Sequence, residues 1–184
     1  MLDAYIFDGL RSSIGRHAGK LASVRPDDLA AEVIRALLAK NPGVKPESIE
    51  DVIMGNTNQA GEDARNVARH AALLAGLPPS VPGMTVNRLC ASGLAAVIDA
   101  ARAVTVGEGE MFIAGGTESM SCIPYVSKGA RWGLRIRHAQ FTDALWEGLT
   151  DPICGQIMGR TAENLAERYS ISRQEQDEFA VASH

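Results

Sequence analysis

Cysteine is scarce in this chain: Cys90, Cys122 and Cys154 are the only three in 184 residues, and no two are spaced Cys-x-x-Cys. Three thiols cannot all pair with one another, and without Cys-x-x-Cys spacing no metal site is expected, so a reducing, cytoplasmic setting fits best. No run approaches the roughly 18 apolar residues of a membrane span, so no membrane partner is expected. Neither sign of charge prevails. Eighteen Lys and Arg stand against 22 Asp and Glu, a net −4, which gives no general attraction to nucleic acid or to an anionic surface. The opening Met-Leu-Asp-Ala-Tyr carries no basic-then-apolar leader, so no secretory signal is expected.

What is present suits a globular domain, or one with a small appendage. Hydrophobic residues make up 46% and charged residues 22%, over a length sufficient for a core. Residues 4–8, Ala-Tyr-Ile-Phe-Asp, read as a short buried strand followed by a loop through Lys20. Pro26-Asp27-Asp28 opens a helix, with proline in its first turn and two carboxylates at its positive end. Leu29, Val33 and Leu37 recur at i, i+4 and i+8 as its apolar face, and Asn41-Pro42-Gly43 stops it. Asp51–Gly55 is a second strand, and a helix bearing His70 runs to about Ala75. His70 reads as a packed or surface residue. A third strand ends at Thr85-Val86, and Met111–Gly116 is the fourth. Strands alternating with helices argue for a βαβ-type layered sheet.

One stretch carries chemistry. Thr85-Val86 passes through a tight turn, Asn87-Arg88-Leu89, to Cys90, which opens an Ala-rich helix over roughly 90–106. Its only charges are Asp99 and Arg102, so it is expected to be buried nearly all round. A thiol at a helix start faces unpaired N–H groups and the positive end of the macrodipole, which favour thiolate. The same donors can receive an oxyanion once a thioester forms. Gly93 leaves room for backbone or ligand to approach. By position alone a packing cysteine and a nucleophile both fit.

Val-Asn-Arg-Leu-Cys-Ala-Ser-Gly-Leu, with its small-residue helix, resembles the nucleophile signature of the thiolases. Arg11-Ser-Ser-Ile-Gly-Arg matches the segment after their first strand, and Gly115-Gly-Thr-Glu-Ser-Met-Ser121 the segment before their inserted loop domain. Gly148-Leu-Thr-Asp and Met158-Gly-Arg-Thr-Ala-Glu-Asn164 match that loop domain. The resemblance implies an α/β thiolase-like layered fold: the N-terminal half, a mixed sheet with a buried helix, over 1–118, and an inserted loop domain over 119–184. It implies an acyl-CoA C-acetyltransferase in which Cys90 is the catalytic nucleophile and Met158 lines the acyl pocket. Acetyl-CoA and 3-oxoacyl-CoA are then substrates, with no further cofactor.

The residues between the two segments, 122–150, alternate basic and apolar (Lys128, Arg131, Arg135, Arg137, His138) around Trp132 and Trp146. They read as a solvated hairpin, a subunit contact or a lip of the coenzyme A site. In the family this region serves tetramer assembly, so a homo-oligomer, dimer or tetramer, is expected. Many biosynthetic members have Tyr-His before the methionine where Gln156-Ile157 stands here, a departure that bears on which acyl group is accepted. Thr161 reads as the N-cap of the following helix, and Ser172 with Glu175 as the capping box of the last.

The family's activating histidine, in Gly-His-Pro, and its second cysteine belong to a second half of the fold. None of His17, His70, His138 and His184 sits in Gly-His-Pro, and neither Cys122 nor Cys154 sits in the second cysteine's motif. Asn58-Gln-Ala-Gly-Glu-Asp looks like 3-oxoadipyl-CoA thiolases, the later loop like acetoacetyl-CoA ones. Two alternatives come from other classes: a ketosynthase-type condensing enzyme, against which the Asn-x-x-Cys-x-Ser-Gly wording argues, and a non-catalytic oligomerising thiolase remnant.

Overall fold

The alternation of side chains along one short strand organises the first part of the molecule. In β1 (Asp51–Gly55), Val52 and Met54 point to one face and Ile53 to the other, and all three are buried. Val52 and Met54 join a core with Ala30 and Ile34 of α1 (Pro26–Lys40) and Val67, Ala68, Ala71 and Ala72 of α2 (Val67–Leu74). Ile53 meets Ala96 and Ala100 of α3 (Ser92–Val106). β2 (Gly83–Val86) and β3 (Phe112–Gly116) flank β1, both parallel to it, in the order β2-β1-β3. The result is a helix–sheet–helix sandwich, and the α/β class expected from the sequence is found. The computed structural model describes residues 3–136 and 138–184. The first two residues of the leader reading and Arg137 of the basic stretch lie outside them.

The chain divides into two compact units, one ending at Ile123 and one spanning Pro124–His184. The mixture of strand directions expected within one sheet is instead divided between two. The sheet of the first unit is parallel, and the second unit holds an antiparallel pair, β4 (Tyr125–Val126) and β5 (Thr142–Asp143). This second unit continues with α4 (Ala144–Gly148), α5 (Met158–Tyr169) and α6 (Arg173–Ser183). The capping box of α6 is present: the Ser172 hydroxyl accepts from the Glu175 N–H, and the Glu175 carboxylate accepts from the Ser172 N–H. Trp132 and Trp146 of the basic stretch are both exposed within this unit.

Four expectations are corrected. Residues 4–8 are neither buried nor paired, and Tyr5, Ile6 and Phe7 stand 80% or more exposed. A groove of about 330 Å³ lies between them and the open edge of β3, so their main chain finds no ladder partner. Asp8 is held to the rest of the unit by Lys40 and Asn41 at the end of α1, each at 2.7 Å. The face that α1 buries is Asp27, Ala30, Ala31 and Ile34. Leu29, Val33 and Leu37 line a second groove, of about 500 Å³, facing residues 8–17 and β3.

The other two corrections concern α3. It is not buried all round: Ala95, Ala96 and Ala100 pack on the sheet, whereas Leu94 and Val106 are mostly exposed. Within this unit α3 packs on the sheet through that one face. The 18-residue window Leu89–Val106, with mean hydropathy 1.6, also reaches the length and apolarity of a membrane span, contrary to the sequence reading. The helix inside that window has 15 residues and contributes its alanine face to the core.

β1 ends directly against the first turn of α3. A Cβ placed on Gly55 would lie 2.4 Å from the Ser92 carbonyl carbon and 2.5 Å from the Gly93 nitrogen, both backbone atoms that cannot swing aside. Gly93, expected from sequence to be the position of close approach, has nothing nearer its would-be Cβ than the Gly115 oxygen at 4.0 Å. Gly55→Ala should therefore lower unfolding free energy by about 2 kcal/mol or more through overpacking. Gly93→Ala should be neutral or stabilising by up to about 1 kcal/mol. Urea unfolding midpoints of the two variants test this; equal loss in both would contradict it.

Candidate active site

The turn that presents Cys90 is built by short-range hydrogen bonds. Asn87 begins it as an Asx turn, its Oδ1 accepting from the Leu89 N–H at 3.0 Å. Leu89 sits in the left-handed region with φ +50°, which costs a non-glycine residue on the order of 1 kcal/mol. The buried Ser92 hydroxyl offsets that cost. It accepts from the Arg88 N–H at 2.8 Å and donates to the Leu89 carbonyl at 2.6 Å, clasping the turn from inside. Two main-chain bonds close it further, Ala91 N–H to the Arg88 oxygen and Ser92 N–H to the Leu89 oxygen.

Cys90 stands exposed on this turn. The helix was expected to open at Cys90; α3 begins at Ser92 with Ala91 as its N-cap, so the thiol lies just ahead of the helix rather than in it. It still adjoins the turn whose N–H groups have no partner within the helix. Cys122 is half-buried beside the Ser119 hydroxyl, and Cys154 is exposed in the second unit.

A polar cluster sits beside the turn, at the C-terminal ends of β1 and β3. The buried Asn56 amide donates to the Thr117 carbonyl at 2.9 Å and to the Asp63 carboxylate at 3.2 Å. The Glu118 carboxylate accepts from the main-chain N–H groups of Thr57, at 2.8 Å, and Asn58, at 3.2 Å, and from the Thr57 hydroxyl. Asn56 Oδ1, Asn58 Nδ2 and Asp63 Oδ1 are buried without a partner. Burial, with the Glu118, Asp27 and Glu62 charges adding to it against the Asn56 hydrogen bond, pushes the Asp63 carboxyl up to about 6. Among the described residues, no three His, Cys, Asp or Glu gather as a metal-holding group.

Met158 lies in the second unit as the first residue of α5, 45% exposed, its N–H donating to the Leu149 oxygen at 2.9 Å. Gln156, at the position of the family departure, accepts from the Asn164 side chain at 2.7 Å. Thr161 is not the N-cap. It lies inside the first turn of α5, and its hydroxyl donates back to the Met158 carbonyl. The sequence reading missed Ser92, Glu118 and Asp63. The tight turn at Asn87-Arg88-Leu89 was expected, but the role of the Asn87 side chain in it was not.

The match to known proteins covers this arrangement and almost everything around it. Residues 4–184 match the family model described as the N-terminal domain of thiolase. The chain belongs to the thiolase family. The 3-oxoadipyl-CoA/3-oxo-5,6-dehydrosuberyl-CoA thiolase of Escherichia coli K12 is 50% identical over 188 residues, covering 100% of this chain and 47% of that protein. The acetyl-CoA acetyltransferase of Cupriavidus necator is 46% identical over 184 residues, covering 100% of this chain and 46% of its own length. The crystal structure of the Bacillus anthracis acetyl-CoA acetyltransferase superposes with a TM-score of 0.85 at 45% identity, over 94% of this chain and 43% of that one. This thiolase chain thus spans about half the length of the curated relatives it matches.

Asp63 gives the thiolase fold a pH signature. Its folded pKa of about 6 lies above the ordinary carboxylate value of 3.8, so the unfolded chain binds fewer protons between them and stability falls as pH rises from about 4 to above 6. At 1.36 kcal/mol per unit the loss is about 3 kcal/mol. Asp63→Asn should flatten this fall; urea midpoints at pH 4.5 and 7.5 check it, and an unchanged slope in the variant would contradict the assignment.

Proposed function

We propose that this chain supplies the nucleophile of a thiolase acting as an acyl-CoA C-acetyltransferase, with Cys90 carrying the acyl group. The observation that carries the reading is the exposed Cys90 thiol on a strained strand–turn–helix corner, within a segment worded like the family's nucleophile motif. In synthesis, the Cys90 sulfur adds to the acetyl-CoA carbonyl and the tetrahedral centre collapses with loss of coenzyme A, leaving an acetyl thioester on the protein. In the degradative direction the sulfur adds to the 3-oxo carbonyl of a 3-oxoacyl-CoA, and the C2–C3 bond breaks to release acetyl-CoA after protonation at carbon. Charge that develops on the carbonyl oxygen needs N–H donors, and those of the first turn of α3 without an intrahelical partner are proposed to supply them. Met158 is proposed as a wall of the acyl pocket.

The proton transfers of both directions need a base and an acid. The family resemblance implies that these are a Gly-His-Pro histidine and a second cysteine, and neither motif occurs in the 184 residues. The 184-residue chain should therefore form the Cys90 thioester slowly with acetyl-CoA and give no sustained thiolysis of acetoacetyl-CoA, because catalytic groups of this kind act as a unit. Peptide mass spectrometry after incubation with acetyl-CoA reads the first, and coenzyme A-dependent loss of acetoacetyl-CoA the second. Acylation no greater at Cys90 than at the exposed Cys154 would overturn the assignment. Steady turnover lost in Cys90→Ala would overturn the division of machinery.

A homo-oligomer is proposed as the working state. Supporting it are exposed apolar side chains in both units, among them Leu89, Leu94 and Val106 in the first and Trp132, Ile136 and Phe179 in the second. Sedimentation velocity across a concentration series should show self-association, and a clean monomer throughout would count against it.

A further inference from the structure

The polar cluster and the Cys90 turn are joined by one hydrogen bond. Asn87 Nδ2 donates to the Thr57 carbonyl at 3.4 Å, while Asn87 Oδ1 holds the Leu89 N–H at 3.0 Å. Thr57 is itself fixed by Glu118, through its N–H at 2.8 Å and its hydroxyl, with the Asn58 N–H bound to the other carboxylate oxygen at 3.2 Å. Asn56 adds a fourth donor at 3.4 Å. We propose that Glu118 and Asn87 are positioning residues for Cys90, Glu118 setting the Thr57 peptide and Asn87 transmitting that placement to the turn that carries the thiol. The inference rests on the reading of Cys90 as nucleophile.

The residue types suit the task. Four donors converge on Glu118, and an ionised carboxylate is the side chain that presents only acceptors, with about four lone-pair sites. A glutamine there would turn an NH₂ group against N–H groups, so Glu118→Gln breaks the array without changing its size. Asn87 needs both ends of its amide, an acceptor for Leu89 and a donor for Thr57. The link matters because the Leu89 backbone is held in an unfavourable region, and a strained conformation persists only where its surroundings over-determine it. Ser92 clasps the turn from the helix side, and Asn87 with Glu118 from the sheet side.

The test uses the 184-residue chain with Glu118→Gln, Asn87→Ala and the double variant. Iodoacetamide alkylation of Cys90 is read against Cys154, which lies in the other unit and reports the reagent. Amide hydrogen exchange over residues 87–92 is followed in parallel, and circular dichroism confirms folding. In the wild type, Cys90 should react faster than Cys154. Each single variant should reduce that advantage by about 3- to 10-fold, the scale of one lost hydrogen bond, and raise exchange at Leu89. The double variant should be no worse than the singles, because both cut the same path. Additive effects, or a Cys90 rate unchanged in folded Glu118→Gln, would overturn the positioning role while leaving Cys90 as nucleophile. A wild-type Cys90 no faster than Cys154 would overturn the nucleophile reading and this inference together. Should Glu118→Gln fail to fold, the exposed Asn87→Ala decides by the same two readouts.

Discussion

Everything near the proposed nucleophile depends on how closely β1 meets α3. The backbone of Ser92 and Gly93 lies against Gly55 with no space for a methyl group, so strand and helix touch main chain to main chain. That contact sets where α3 starts, and hence where the turn before it must lie. It also brings the ends of β1 and β3 level with the turn, so that Asn56, Thr57 and Glu118 stand beside Asn87. A bulkier strand end would push the helix outward and part the polar cluster from the thiol.

The sequence made the three strands of the parallel sheet legible because each is a short apolar or β-branched run between turn signals, and the alternation in β1 survives in the packing of Val52, Ile53 and Met54. The α1 start at Pro26 and the Ser172–Glu175 capping box were equally local and were read correctly. Residues 4–8 failed for the opposite reason. An extended, apolar segment is a local property, whereas a ladder partner is not, and this segment has only a groove beside it. Thr161 failed because Ser and Thr hydroxyls serve equally as caps and as donors to a carbonyl one turn back.

The site was legible as a motif but not as a mechanism of placement. Cys90 stood out by wording, and the turn before it as a tight turn. Ser92 and Glu118 did not, since a serine among alanines and a glutamate after a glycine pair carry no local sign of the distant groups they hold. The apolar sequence of α3 was likewise read as complete burial. Apolarity states what a helix tolerates on each face, while the number of packed faces depends on how many surfaces surround it. In this unit the sheet covers one face, with Ala95, Ala96 and Ala100 against it.

Leu89 sets stability and the fixity of the Cys90 turn against each other. A glycine at that position would accept φ +50° without steric cost, so a search for thermal tolerance would favour it. The same change would give the turn conformations that Asn87 and Ser92 now suppress, and the thiol would wander among them. A protein selected for hardiness alone would drift toward a softer corner, whereas one selected to hold the thiol in one place would keep the leucine and tolerate a lower melting point.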